Sequence, residues 1–182
     1  MSTANNPSPW YSGIVNYKNG GNRSHTLVAS LVAAYVAEHK QRINALLGAN
    51  YTQIVVVPST RGRSFAVHPL PQAIRRIVAL KDHISDALNH VPGSTIGRQE
   101  YKPSIFTVDA SSVRNAKILL IEDLWVSGSK AVSGAGALLQ AGASSVVILP
   151  IVREYRSPSD FCPQEYQSAA SSPYDLGYWP RA

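Results

Sequence analysis

The chain has 182 residues, 45% of them hydrophobic and 15% charged, with 17 Lys and Arg against 11 Asp and Glu and a formal net charge of +6. That length fits one domain with one core, and no apolar run approaches the ~20 residues a membrane helix needs. The single cysteine, Cys162, excludes an internal disulfide framework and a multi-cysteine zinc site.

The first ten residues, MSTANNPSPW, are polar and lack a charged start followed by an apolar core, so no secretory leader is read and a reducing cytoplasm is the expected compartment. Positive charge favours an anionic partner, which a phosphorylated small molecule satisfies as well as nucleic acid does. Residues 1–12 read as a loose arm, and YKNGGNR from Tyr17 to Arg23 is turn chemistry around two glycines. Lys18 and Arg23 read as solvated turn residues. From Ser24 to about Leu47, Leu27, Leu31, Val32, Tyr35, Val36, Ile43 and Leu46 recur at helical spacing, and Gly48 is placed to close the helix. QIVVVP, residues 53–58, is a short β-branched strand, followed at its carboxyl end by the polar loop Ser59, Thr60, Arg61, Gly62, Arg63. Pro71 opens a second expected helix with Ile74, Ile77, Val78, Ile84 and Leu88 on one side.

Residues 89–104 form a long irregular stretch, of the kind that is mobile or functional in a compact domain; it carries Arg98, Gln99, Glu100 and Lys102. IFTVD (105–109) and AKILLI (116–121) read as strands, residues 127–140 as a small-residue helix with Val132, Ala135, Leu138 and Leu139 facing inward, and AGA (141–143) as its glycine stop. SSVVILPIV (144–152) is the next strand, and residues 157–182 stay irregular. Strand, loop, helix, strand repeats along the chain. The expected class is therefore α/β, with a mainly parallel central sheet flanked by helices and right-handed crossovers in a single domain.

ILLIEDLWVSGSK, residues 118–130, carries the chemistry. An uninterrupted aliphatic run marks a strand buried on both faces, so Glu122 and Asp123 come at its carboxyl end, where ligands collect on parallel sheets. Val126, Ser127, Gly128, Ser129 and Lys130 then lie between strand and helix, where backbone amides lack intrahelical partners and the positive end of the helix dipole stands behind them. That is an anion cradle. Two carboxylates beside it would repel a phosphate unless they face neutral hydroxyls, because an ionised carboxylate is acceptor only. A sugar phosphate satisfies both halves.

The same thirteen residues resemble the PRPP-binding signature of the type I phosphoribosyltransferases: an aliphatic strand, two acids, two variable residues, a hydroxyl-rich glycine loop and a helix. The resemblance implies a Rossmann-like phosphoribosyltransferase fold. It implies that Glu122 and Asp123 hold the ribose hydroxyls of 5-phosphoribosyl-1-diphosphate (PRPP) and that residues 126–130 hold its 5'-phosphate. Val126 stands where Thr is common, and Lys130 where Ser or Thr is common. A weaker likeness over VNYKNGGNRSHTLVASLVAAYV, IVVVPSTRGR, GRQ and FTV is to the competence protein F subgroup. By that likeness Ser59, Thr60, Arg61, Gly62 and Arg63 form the diphosphate loop, with Arg61 before Arg63 as the cation on the leaving group, and residues 89–104 form a flexible loop carrying Arg98 and Lys102. The four-cysteine zinc module common in that subgroup has no counterpart among these residues, and no role in DNA uptake is carried over.

What the resemblance implies is a PRPP-dependent pentosyltransferase of nucleotide metabolism that uses Mg²⁺ and a nucleobase-like acceptor, often as a homodimer. Mg²⁺ keeps much of its water, so direct protein ligands are not expected; Glu122 and Asp123 are the residues that would serve. A second hypothesis is a regulatory or nucleic-acid-associated protein that senses PRPP or a nucleotide without turning it over. His25, His68, His83 and His90 show no metal spacing. Among Trp10, Trp125, Tyr178 and Trp179, Trp125 has the best claim to stack on a base, and Cys162 has no visible activating partner.

Overall fold

A computed structural model describes Tyr17, residues 22–59, Phe65 and residues 68–153. The arm, residues 60–63 of the expected diphosphate loop and the carboxyl-terminal stretch lie outside the described residues. Within these bounds the chain is mixed α/β, with a parallel four-stranded sheet between helices. No described helix is long and apolar enough to cross a membrane.

The first helical stretch runs as α1 (Asn22–Glu38) and α2 (Lys40–Leu47), not as one continuous helix. The interruption is a single residue, His39, at φ −100° and ψ 12°. The hydrogen-bond ladder survives it, since His39 N donates to Tyr35 O at 3.0 Å and Ile43 N to His39 O at 2.9 Å. The buried imidazole lies on the Tyr35 ring with centroids 4.3 Å apart. Gly48 closes α2 in the left-handed conformation at φ 71°, a geometry that costs a residue with a Cβ. Beyond it, Lys117 Nζ and Ser145 Oγ both donate to Leu47 O, at 3.2 and 3.1 Å, and tie the end of α2 to the sheet.

β1 (Gln53–Val56) follows, then α3 (Pro69–Ile74), where Pro69 fills a first-turn position that needs no N–H and the His68 imidazole accepts from Leu70 N at 3.2 Å. The expected long second helix stops there. Ile84 instead enters β2 (Ile84–Ser85) and Leu88 enters β3 (Leu88–His90), while Val78 is 79% exposed. Spacing of three and four along so short an apolar series fits either state, and here partner strands decided: Ile84 pairs with Ile54 in parallel, and Leu88 with Val108 in antiparallel. Phe106 to Val108 is the strand expected near 105–109, β4 (Phe106–Val108), but it joins β3 in a separate two-stranded ribbon and not the main sheet. Asp109 then caps the one-turn α4 (Ala110–Val113), a helix the sequence reading did not anticipate.

β5 (Lys117–Trp125) extends four residues past the expected end, through both acids. α5 (Ser129–Gln140) and β6 (Ser145–Arg153) complete the βαβ unit. The sheet order is β2-β1-β5-β6, every pair parallel. Alternation along the strands divides the core. Ile54, Val56, Leu119, Ile121 and Leu149 pack with Tyr17 and the α1 to α3 side chains, whereas Val55, Val57, Ile118 and Leu120 pack with α5 and the β3–β4 ribbon. On α5, Ala131, Ala135 and Leu138 face that second cluster, but Val132 and Leu139, expected inward, are 42% and 48% exposed. The small residues on the buried side bring the helix close to the sheet and turn the two larger aliphatics outward.

Candidate functional site

The chain leaves β1 for its neighbour β2 on one side, and returns to β5 on the other. The carboxyl ends of β1 and β5 therefore flank the point where strand order reverses, the crevice in which open parallel sheets hold ligands. Val56 pairs with Ile121, and Val57 N donates to Ile121 O at 2.9 Å. Continuing that register sets Val57 and Pro58 alongside Glu122 and Asp123, and Ser59 starts the polar segment directly beyond. The two loops singled out in the sequence thus depart from adjacent central strands at one edge of the sheet.

Glu122 and Asp123 are consecutive residues of a strand and so address opposite faces. Glu122 is 3% exposed and shares its face with Ile118 and Leu120; Asp123 is half-buried and shares its face with Leu119 and Ile121. The pair does not converge on one point through the strand alone. Asp123 accepts a hydrogen bond from the hydroxyl of Tyr17 at 2.8 Å. Tyr17 is itself 1% exposed, so the first residue of the segment read as turn chemistry is core. Nothing in the sequence signals this contact, because 106 positions separate its partners.

Val126, Ser127 and Gly128 form the turn between β5 and α5, and Ser129 and Lys130 open the helix. Gly128 is the N-cap at φ 78° and ψ −8°, a left-handed conformation that explains glycine at this position. The Ser127 and Ser129 hydroxyls lie 3.0 Å apart, and Ser129 N donates to Ser127 Oγ at 3.4 Å. Trp125 is the addition that spacing did not foresee. Alternation alone would send its side chain to the face of Asp123, but the indole packs with the α5 cluster and lies on Gly128, so close that a Cβ built there would stand 2.2 Å from Cζ2. The Trp125 side chain thus lies against Gly128, the glycine of the expected anion cradle.

Of the expected flexible loop, Asn89 and His90 belong to β3, and the rest is tied down at its far end. Lys102 N donates to Ser133 Oγ at 2.9 Å, and the Tyr101 ring lies over Gly136, one turn and two turns along α5 from Ser129. Gly97 N donates to Glu100 Oε2 at 2.6 Å, and Lys102 Nζ to Thr95 O at 3.3 Å, which turns that ammonium back onto its own loop. Arg98 is exposed. The segment is thus docked on the helix that follows the cradle. Of the expected diphosphate loop only Ser59 is described; Thr60, Arg61, Gly62 and Arg63 are outside the described residues.

Among the described residues no three His, Cys, Asp or Glu side chains come together as a metal cage. Glu122 and Asp123, the residues expected to serve a Mg²⁺, lie on opposite faces of β5, with Glu122 buried and Asp123 half-buried. Compared with known proteins, the chain matches no family model and no curated protein.

Proposed function

We propose that the protein is a phosphoribosyltransferase of the type I class, moving a 5-phosphoribosyl group between PRPP and a nucleobase or related nitrogen acceptor with release of diphosphate. One observation carries this reading: the acid pair with its glycine turn and the Ser59 segment leave adjacent strands at the reversal point of a parallel sheet. A sugar that bears phosphate at one end and diphosphate at the other needs two anion-binding loops with acceptors for its diol between them.

In this reading the amides of residues 126–130 take the 5'-phosphate, with Lys130 adding charge, and Asp123, with Glu122 behind it, accepts from the ribose hydroxyls. Arg61 and Arg63 meet the diphosphate. Displacement at C1 builds oxocarbenium charge on the ribose, so the chain's contribution is to hold the ring still, accept from its hydroxyls and keep water out. Mg²⁺, when bound, neutralises the leaving diphosphate. The Trp125 indole lies against Gly128 of this turn, which makes Trp125 a reporter of binding as well as a candidate for stacking on the base.

The test is incubation with PRPP, Mg²⁺ and a panel of bases. Diphosphate release that depends on one base supports the transferase, and no release with any base removes it. The covered glycine and the docked loop favour one alternative, a PRPP or nucleotide sensor on the same fold. That alternative expects quenching or enhancement of Trp125 fluorescence by PRPP, absent in Trp125→Phe, without turnover. Salt-sensitive DNA binding indifferent to PRPP would instead favour a nucleic-acid role.

A further inference from the structure

A tyrosine that is 1% exposed must find a partner for its hydroxyl, because an unsatisfied buried O–H is costly. Tyr17 spends its proton on Asp123 Oδ2 at 2.8 Å. Its ring is wedged in the apolar cluster of Val28, Val32, Leu119 and Ile121, and its edge meets the His25 ring with centroids 6.4 Å apart and planes at 69°. The donor is therefore held within the core. A donor fixed in a core and bonded to a half-buried carboxylate restricts rotation of that carboxylate, which is the preorganisation an acceptor needs before a ligand arrives.

We propose that Tyr17 is a positioning residue: its hydroxyl sets the Asp123 carboxylate to receive the hydroxyls of a sugar phosphate, so that Tyr17 is part of the site. This rests on the sugar-phosphate reading above. The ring alone would suffice to fill the core, and phenylalanine would do so equally; the hydroxyl is what reaches past the apolar cluster to the sheet edge. The proposal also separates the two acids. Asp123 is the one held for a ligand, while Glu122 lies on the opposite face of the strand and is nearly fully buried.

The experiment measures ribose 5-phosphate and inorganic phosphate binding, by calorimetry, to the full chain and to Tyr17→Phe, Asp123→Asn and the double variant, with near-ultraviolet circular dichroism as the check on packing. Phenylalanine retains the ring, so the fold is expected to persist. Tyr17→Phe should weaken ribose 5-phosphate by up to about tenfold, the cost of ordering on binding one carboxylate that the hydroxyl no longer holds. It should leave inorganic phosphate unchanged, because the cradle is untouched. The double variant should bind no more weakly than Asp123→Asn alone. Unchanged ribose 5-phosphate affinity in Tyr17→Phe, parallel loss of both ligands, or multiplying effects in the double variant would each overturn the positioning role. If the unsubstituted chain binds neither ligand, the sugar-phosphate reading itself is overturned and this inference with it, an outcome distinct from a failure confined to the variant.

Discussion

Replacing Gly128 by alanine tests the contact that the sequence did not reveal. Two terms oppose the substitution. The backbone at φ 78° is left-handed, which costs a residue with a Cβ about 1–2 kcal/mol. The new methyl would also stand 2.2, 2.7 and 2.8 Å from three carbons of the Trp125 indole, so the ring has to move and forfeit part of its burial. For a half-buried indole that loss is roughly 1–2 kcal/mol, since complete burial of a large apolar side chain is worth about 1.5–3 kcal/mol. Gly128→Ala should therefore destabilise by about 2–4 kcal/mol. Urea unfolding followed by far-ultraviolet circular dichroism, run on the parent, Gly128→Ala, Trp125→Ala and the double variant, separates the terms. In the Trp125→Ala background only the backbone cost of about 1–2 kcal/mol should remain. An equal cost in both backgrounds, or a Gly128→Ala protein within about 0.5 kcal/mol of the parent, would show that the indole does not rest on the glycine. Gly128→Val, with a branched Cβ in the same place, should lose more stability still, and any phosphate binding with it.

Leu138 is completely buried on the inner side of α5, and Leu138→Ala should lower the unfolding free energy by about 2–5 kcal/mol in the same assay. Gly136 sits under the Tyr101 ring but in ordinary helical backbone; Gly136→Ala gains helix propensity of up to about 1 kcal/mol while dislodging an exposed side chain. Hydrogen exchange in residues 91–102 should therefore quicken with little change in global stability, and unaltered exchange would argue against docking of the loop through Tyr101. The Asp109 carboxyl is held below its ordinary 3.8, first by the Ser111 hydroxyl at 2.6 Å and also by the Ser111 and Ser112 amides. A depressed folded-state value means that the group's contribution is present above the unfolded value and is lost as pH falls through the folded one. Asp109→Asn should accordingly flatten the fall of stability in acid, below about pH 4, and leave the slope near neutrality as it was.

Much of the fold is local chemistry and could be read residue by residue. An unbroken aliphatic run bounded by charge and glycine reads as a strand, so β5, β6 and the parallel class were legible along the chain. Gly48 and Gly142 ended helices because a left-handed residue is needed where a helix stops, and their φ values of 71° and 106° show that conformation. The turn after the acids was legible for the same reason, since small residues and glycine between a buried strand and a helix leave few other arrangements.

What required the tertiary structure were choices in which two local states cost nearly the same. Ile84 and Leu88 suit a helix face as well as a strand, and only Ile54 and Val108 as partners made them strands. Val132 and Leu139 satisfy helical spacing, but the surface they would have covered is reached more closely by Ala131 and Ala135. The site shows the division most plainly. Sequence order set Glu122 beside Asp123 and put the glycine turn after them. Strand alternation then parted their side chains, while the burial of Tyr17, 106 positions away, and the folding of Trp125 back onto Gly128 settled what each group of the site touches. The distant contact comes from the chain's need to bury a phenol ring and give its hydroxyl a partner, the near one from packing an indole against α5, and no spacing rule carries that information.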